Sequence, residues 1–593
     1  MSALRKAGPQ RGTAGGRSRD SRPVRHQAEH RLPLRPLNRA VLLAAALTAL
    51  ACRATAADRY NVLLVSLDSV RQDFVGCYGH RPRRAPDVPT TPEIDRLAAL
   101  GARMEDAYAS SSWTLPSHVS LLTGEPEVVH GVDTDQQTLD ASVPTLAEIL
   151  KYHGYRTAGV FSGPYLEPHW GFGRGFDRYR AAYGRKVAAA SRLAERLRAQ
   201  GPSPGSRLSA FRVYEKVKNL SHRDVNSSEV TAATLAELDD LRATGEPWFL
   251  FVHYFDAHYD YVPPPPYDAR FDPDYRGTIT AEDFLANPRI SVPDPATPDG
   301  FIRRVSDRDL DHLIALYEGE IAWVDAHVGE VVRRLDALDL ARRTLVIVVS
   351  DHGDEFFEHG GLGHHRTLYE EVVKVPLVLR LPGVLPAGAA VPGPVALSDV
   401  VPTVLDVLGI DAPPGLTSTS FLALIRGGAR DGTAIARLVT QHTGRVTIDG
   451  TTVVPATQVT VQEAFRREAI KLTRARTWPE FPPDLPARSA AILRPETEAQ
   501  HAREQLSWID VARYPGEPDD ARSSEFADPR ARAALESVRG LYRRLLLPRR
   551  TPGTARPGEA VRRALDGLGY VDTGAGAALP ASRFALPPPG DGR

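Results

Sequence analysis

Two apolar runs constrain this chain more than anything else in it. "NVLLVSLDS" ends at Asp68, and "TLVIVVSDHGDE" ends at Asp351 and His352. Neither alternates apolar with polar, which is the pattern of a strand buried on both faces. "YRTAGVFSG", "PWFLFVHYFDAH" and "VPLVLRLPG" repeat it. Helical patterns lie between them: "TTPEIDRLAALGARM", "VPTLAEILKYHG" and "LIALYEGEIAWVDAHVGEVVRRLDAL". Strand alternating with helix predicts an α/β fold with a doubly wound, mostly parallel sheet. Ligands of such sheets collect outside the carboxyl ends of the strands. Asp68, Asp256, Asp351 and His352 sit at or just past strand ends, so one crevice is expected to gather them.

The chain has 593 residues, enough for a large α/β domain and a smaller one. Residues 58–411 carry the strand–helix alternation. Residues 185–245 read as helical, broken at "GPSPGS". From 412 to 546 the pattern changes: "RVTIDGTTVVPATQVTVQEAF" alternates around an Asp-Gly turn, predicting an antiparallel hairpin, and "DPRARAALESVRGLYRRLLL" predicts a helix. That makes a smaller C-terminal α+β subdomain. Residues 547–593 are rich in Pro, Gly, Arg and Ala and read as a loose tail. Residues 1–57 read as a basic leader and an export signal, since an Arg-rich stretch runs into "AVLLAAALTALAC", which is short for a membrane span of ~20 residues. Cleavage after "ATA" near Ala56, lipidation of Cys52 in "LAC" and an uncleaved anchor all place the rest outside the cytoplasm, in the periplasm or cell envelope. Lys plus Arg equal Asp plus Glu at 73 each, so no basic face argues for a nucleic-acid partner. Two cysteines exclude both a disulfide scaffold and a four-Cys zinc site.

A carboxylate at the end of a buried strand is costly unless a cation or partner meets it. Asp68, Asp351 and His352 offer two oxygens and one nitrogen, a donor set for Zn²⁺ or Mn²⁺, with Ca²⁺ also open to carboxylates. "SSSWTLPSHVSLLTG" places Thr114 just before Pro116 at the start of an apolar helix. That is an ordinary capping position. A helix N-terminus also stabilises anions, and a metal-held hydroxyl there would be a nucleophile.

These segments resemble, in order, the sulfatase branch of the alkaline phosphatase superfamily. "NVLLVSLDSVRQDFVGCYG", "TTPEIDRLAALGARMEDAYASSSWTLPSHVSLLTG", "WFLFVHYFDAHYDYVPP", "VIVVSDHGDEFFEHGGLGHHRTLYEEVVKVPLVLRLPG" and "LSDVVPTVLDVLGI" carry the likeness, over roughly residues 59–410. The resemblance implies an alkaline phosphatase-like fold and a divalent metal ion (Ca, Mn or Zn) held by Asp68, Asp351, His352 and Thr114. It implies Thr114 as nucleophile and His118, in place of the family's Arg, as a substrate-binding residue. His258 falls on a substrate-binding His. His365 replaces a Lys on the leaving-group side, where it would protonate the leaving oxygen and then activate water. His364 would touch substrate or join Asp256 around a second metal.

The departures carry as much information. Sulfatases convert a Cys or Ser at position 114 to formylglycine, and Thr cannot be converted. Ser69 stands where a second acid or amide ligand is usual. The expectation is a metal-dependent hydrolase of sulfate or phosphate esters, with phosphoester or phosphodiester chemistry favoured. Its partner would be a sulfated or phosphorylated small molecule, glycan or lipid, with membrane attachment through the N-terminal lipid or anchor left open. A phosphoglycerol-type transferase acting on envelope glycans or lipids is the alternative, and an inactive envelope protein is the third reading.

Overall fold

A computed structural model describes residues 59–134, 137–184, 224–294, 300–430, 433–448, 451–481, 503–513 and 526–545, with residues 187–189, 193, 517, 523–524 and 553–554. The leader, with Cys52, lies outside the described residues, as do residues 194–223 and nearly all of the tail. Among the described residues no helix is long and apolar enough to cross a membrane.

The centre is one eight-stranded sheet. Its strands are β1 (Asn61–Leu67), β2 (Ala102–Tyr108), β3 (Arg156–Phe161), β4 (Arg178–Ala181), β5 (Trp248–Tyr254), β6 (Thr344–Ser350), β7 (Leu377–Arg380) and β8 (Ala389–Ala396), in the order β8-β2-β7-β6-β1-β5-β3-β4. β1 is central and pairs in parallel with β5 and β6. Its lack of alternation has a direct cause. Val62 and Leu64 belong to an apolar core on one face, with Leu115, Val119, Leu146 and Val404. Leu63, Val65 and Leu67 belong to a second core on the other face, with Ile94, Leu238 and Tyr317. Both faces of the strand are dry, so both sets of alternating positions are apolar. Helices α2 (Thr114–Thr123), α3 (Leu146–Tyr152) and α6 (Val400–Leu408) cover the first face. Helices α1 (Pro92–Ala99), α4 (Ser227–Thr244) and α5 (Asp307–Ala337) cover the second. The doubly wound arrangement is present, and solved proteins share it, as given below.

Two local expectations change. The pattern "TTPEIDRLAALGARM" reads as one helix, but the helix stops at Ala99 and β2 begins at Ala102. Gly101 marks the break: a Cβ there would lie 2.2 Å from the carbonyl oxygen of Leu379, so only glycine lets the chain turn against β7. "VPLVLRLPG" does form a buried strand, but β7 runs antiparallel to both neighbours, β2 and β6. Between β6 and β7 lie a small antiparallel hairpin, Glu355–Phe356 with Leu362–Gly363, and the short helix Glu370–Val373, in place of the long helix that usually carries a parallel crossover.

The C-terminal part is a four-stranded antiparallel sheet of β9 (Ala434–Ile448), β10 (Thr451–Arg467), β11 (Ile470–Phe481) and β12 (Arg503–Asp510), with helix α7 (Pro529–Leu545). Ile448 pairs with Thr451, and the Asp449–Gly450 turn expected between them lies outside the described residues. Ile435, Phe465 and Leu472 pack on Val128 and Val129. Lys471 donates to the carbonyl of Leu368 at 2.7 Å and pairs with Glu517, tying this sheet to the chain that leaves the β6 loop.

Candidate active site and metal centre

Register brings the first two carboxylates together. Leu67 is paired with Ser350, so the next residue of each strand, Asp68 and Asp351, emerges side by side at the carboxyl edge. Both are fully buried, as is His352. Ser69, held at φ 58, clamps the pair: its N–H donates to Asp351 Oδ1 (3.1 Å) and its hydroxyl to Asp68 Oδ1 (3.0 Å). The His352 N–H also donates to Asp351 Oδ1 at 2.9 Å. The second oxygens, Asp68 Oδ2 and Asp351 Oδ2, are buried with no hydrogen bond.

Lone pairs of other residues face those oxygens. His352 Nδ1 donates to the carbonyl of Gly353 (3.1 Å), so in the neutral ring Nε2 carries a lone pair. That nitrogen lies 3.4 Å from Asp351 Oδ2 and 3.6 Å from Asp68 Oδ1. Burial, then the neighbouring His364, pushes His352 down to about 4, so the ring is neutral at pH 7. His253, the penultimate residue of β5, repeats the device. Its Nδ1 donates to the Ser162 carbonyl at 2.5 Å, and Nε2, with no hydrogen bond, points at Asp68 Oδ2 from 3.4 Å.

Acceptors facing acceptors in a buried centre repel one another unless a cation sits among them. Separations of 3.4–3.6 Å are edge lengths of a coordination polyhedron with bonds of ~2.1–2.4 Å. Without the cation, burial and the charge of Asp68 push Asp351 far above the usual carboxylate range. Burial raises Asp68 as well, but the imidazoles of His253, His258 and His352 outweigh it and hold that carboxyl well below its ordinary value. The donor set therefore fits a divalent metal ion. Asp68, Asp351 and His352 form one group able to hold it. His253 was not anticipated from the sequence. One His inside an apolar strand reads as core, and only the pairing of Ser66 with His253 brings it to the edge beside Asp68.

The hydroxyl expected at a helix mouth is there. Trp113 takes the N-cap position, Thr114 is the first helical residue, and no side chain caps the helix. Thr114 Oγ1 instead lies 3.4 Å from His352 Nε2. All ten residues of α2 are buried, which fixes that hydroxyl beside His352. His118 lies one turn further along. Its Nδ1 donates to the Thr114 carbonyl (2.9 Å) and its Nε2 bonds Ser66 Oγ (2.9 Å). The ring has no exposed surface, and burial, then His253, pushes it down to about 3. The same Nδ1 lies 3.4 Å from Asp351 Oδ2, so the ring stands at the inner edge of the centre with both nitrogens engaged by protein groups, where the sequence suggested a substrate contact.

Three further imidazoles cluster beside the centre. The His364 ring is 4.3 Å from that of His352 and 4.8 Å from that of His258. His258 is stacked on Phe255 at 4.4 Å and donates Nδ1 to the Tyr259 carbonyl. His365 is exposed, held at φ 70, stacked 4.5 Å from Trp113, with its N–H on the Ser112 carbonyl (2.9 Å). It thus stands beside the residue that precedes Thr114. Asp256 goes elsewhere. Its oxygens accept the N–H groups of Asn226 and Ser227 (2.8 Å each) and the Trp323 indole (2.9 Å), so it caps α4 and is not available to a metal.

The sulfatase family model matches residues 60–410. The chain belongs to the sulfatase family. It is 24% identical over 352 residues to iduronate 2-sulfatase of Mus musculus, covering 56% of this chain and 60% of that protein. The chain therefore spans well under two thirds of that relative's length. Its fold matches the phosphonate monoester hydrolase of Agrobacterium radiobacter (TM-score 0.53, 21% identity, 82% of this chain and 96% of the other). It also matches a protein solved with its substrate D-glucosamine-2-N,6-O-disulfate (TM-score 0.56, 16% identity, 84% and 100%). The fold is thus the alkaline phosphatase-like α/β fold of sulfatases.

Within this sulfatase-family chain the loop after β6 is packed without slack. A Cβ on Gly353, between His352 and Asp354, would lie 2.2 Å from the Glu371 carbonyl oxygen and 2.7 Å from Arg71 Cγ. Gly353→Ala is expected to displace both neighbours and to destabilise the fold by roughly 1–3 kcal/mol. Thermal unfolding measures the loss, and bound metal should fall with it.

Proposed function

We propose that this sulfatase-family chain is a metal-dependent hydrolase of phosphate and sulfate esters, with phosphate esters and diesters preferred. The observation that carries the reading is Thr114 Oγ1, held 3.4 Å from His352 Nε2 on a residue that cannot become formylglycine. A formylglycine hydrate releases its sulfate by reverting to the aldehyde. An ester of Thr114 has no such exit and must be opened at the phosphorus or sulfur by water, as in phosphoryl transfer.

In this reading Thr114 attacks in line, its backbone fixed by His118 and its helix by burial on every side. The ion supplies Lewis acidity that lowers the hydroxyl pKa and offsets charge on a non-bridging oxygen. Asp68, Asp351, His352 and His253 would hold it, and this mixed oxygen–nitrogen set suits Zn²⁺ or Mn²⁺ better than Ca²⁺. His258 meets a remaining ester oxygen, and His365 gives the leaving oxygen its proton. His365→Ala should lower turnover ~10²–10⁴-fold with bound metal unchanged. A variant at the normal rate removes His365 from that role.

The substrate is a small ester, and the names of similar proteins put sugar esters among the first to assay. The leader supports action outside the cytoplasm. The test is the metal-loaded chain on aryl phosphodiester, aryl phosphate and aryl sulfate. Faster diester turnover is expected, and turnover of the sulfate alone would overturn the preference.

A further inference from the structure

Asp354 is a carboxylate that the mechanism above does not use. It is fully buried, yet both oxygens are spoken for: Oδ1 accepts His364 Nδ1 at 2.6 Å and Oδ2 accepts the Tyr261 hydroxyl at 2.6 Å. Arg71 grips the same residue from behind, donating to the Asp354 carbonyl at 3.0 Å. A second group of possible metal ligands, His352, Asp354 and His364, lies here. With both carboxylate oxygens already accepting strong hydrogen bonds, it is better described as an oriented carboxylate–imidazole pair than as a cation site. The carboxylate fixes the proton of His364 on Nδ1, so Nε2 carries the lone pair. The ring sits one imidazole away from the nucleophile: 4.3 Å from the His352 ring, whose Nε2 faces Thr114.

We propose that His364, rather than His365 to which the resemblance gave this step, is the base that activates the water which clears the Thr114 ester, with Asp354 and Tyr261 as positioning residues that fix its tautomer. The proposal rests on Thr114 being the nucleophile. It supplies the step that an unconvertible nucleophile requires. The water gives a proton to His364 Nε2 as its oxygen bonds to phosphorus or sulfur. The bond from that atom to Thr114 Oγ1 breaks, the released Thr114 oxygen takes a proton from solvent, and His364 gives its proton up to solvent. One water is consumed, one acid is released, and no oxidant or co-reactant is needed. In-line displacement brings the water in where the leaving oxygen departed. The adjacent residue, His365, serves that departure from the same loop.

Stopped-flow release of 4-nitrophenolate from an aryl phosphodiester and an aryl sulfate separates the two half-reactions. In His364→Ala and Asp354→Asn, a burst of about one equivalent is expected, followed by turnover slowed on the order of 10²-fold. Mass spectrometry should find the phosphoryl or sulfuryl group on the Thr114 peptide. Tyr261→Phe should show the same split, more weakly. If burst and steady state slow together with no adduct, or if either of the first two variants turns over at the normal rate, the proposal fails while the nucleophile reading stands. That reading has its own control: normal turnover by Thr114→Ala defeats it and the proposal together.

Discussion

Thr114→Ala abolishes turnover on every ester, a loss of at least about 10³-fold, while bound metal falls little. Thr114→Ser keeps measurable activity. The reason is the economy of the site. Thr114 is the first residue of a helix buried on all sides, it has no capping duty, and its hydroxyl is directed to the one nitrogen that also faces both carboxylates. Removing a methyl leaves the nucleophile in place. Removing the hydroxyl leaves the four residues that would hold the ion and nothing to attack. Steady-state assay with 4-nitrophenyl esters, beside metal analysis of the same preparations, checks both halves, and near-normal rates for the alanine variant would refute the assignment.

The second large effect is at Asp351. Asp351→Asn removes the charge that, with Asp68, makes the centre a cation site, and Asn leaves a buried amide among lone pairs. Stoichiometric metal in the parent and almost none in the variant is the expected result, with turnover lost in parallel. Stripping the parent with a chelator should also lower its melting temperature. An ion present at 100 times its Kd contributes about 2.7 kcal/mol to the folded state, and its removal restores the repulsion between Asp68 Oδ2, Asp351 Oδ2 and the His253 and His352 nitrogens. A parent protein that takes up no divalent ion and melts at the same temperature with or without chelator would sink the metal reading.

Much of this was legible in the sequence because burial on both faces leaves a plain mark. β1 and β6 are unbroken apolar runs for the physical reason that two cores flank the sheet, and the first acid after each run has nowhere to go but the carboxyl edge. The antiparallel pairing at the start of the C-terminal sheet and the helix beginning at Pro529 were readable from local pattern alone. Asp256 misleads for the opposite reason. It too follows an apolar strand, but a helix N-terminus offers two N–H groups closer than the crevice does, and a local partner satisfies the carboxylate first.

The sequence by itself determined that the chain would build a doubly wound sheet with acids at the tips of two central strands and a hydroxyl at a helix mouth, because those follow from periodicity and from the cost of burying charge. Only the tertiary structure decided which side chains complete the centre. His253 enters through strand register, and His118 is held by Ser66 and the Thr114 carbonyl with its Nδ1 against Asp351 Oδ2. Asp354 finds His364 ten residues away through a turn of the loop that Gly353 and Arg71 pin down. Such contacts depend on distances between elements, and no local pattern encodes those distances.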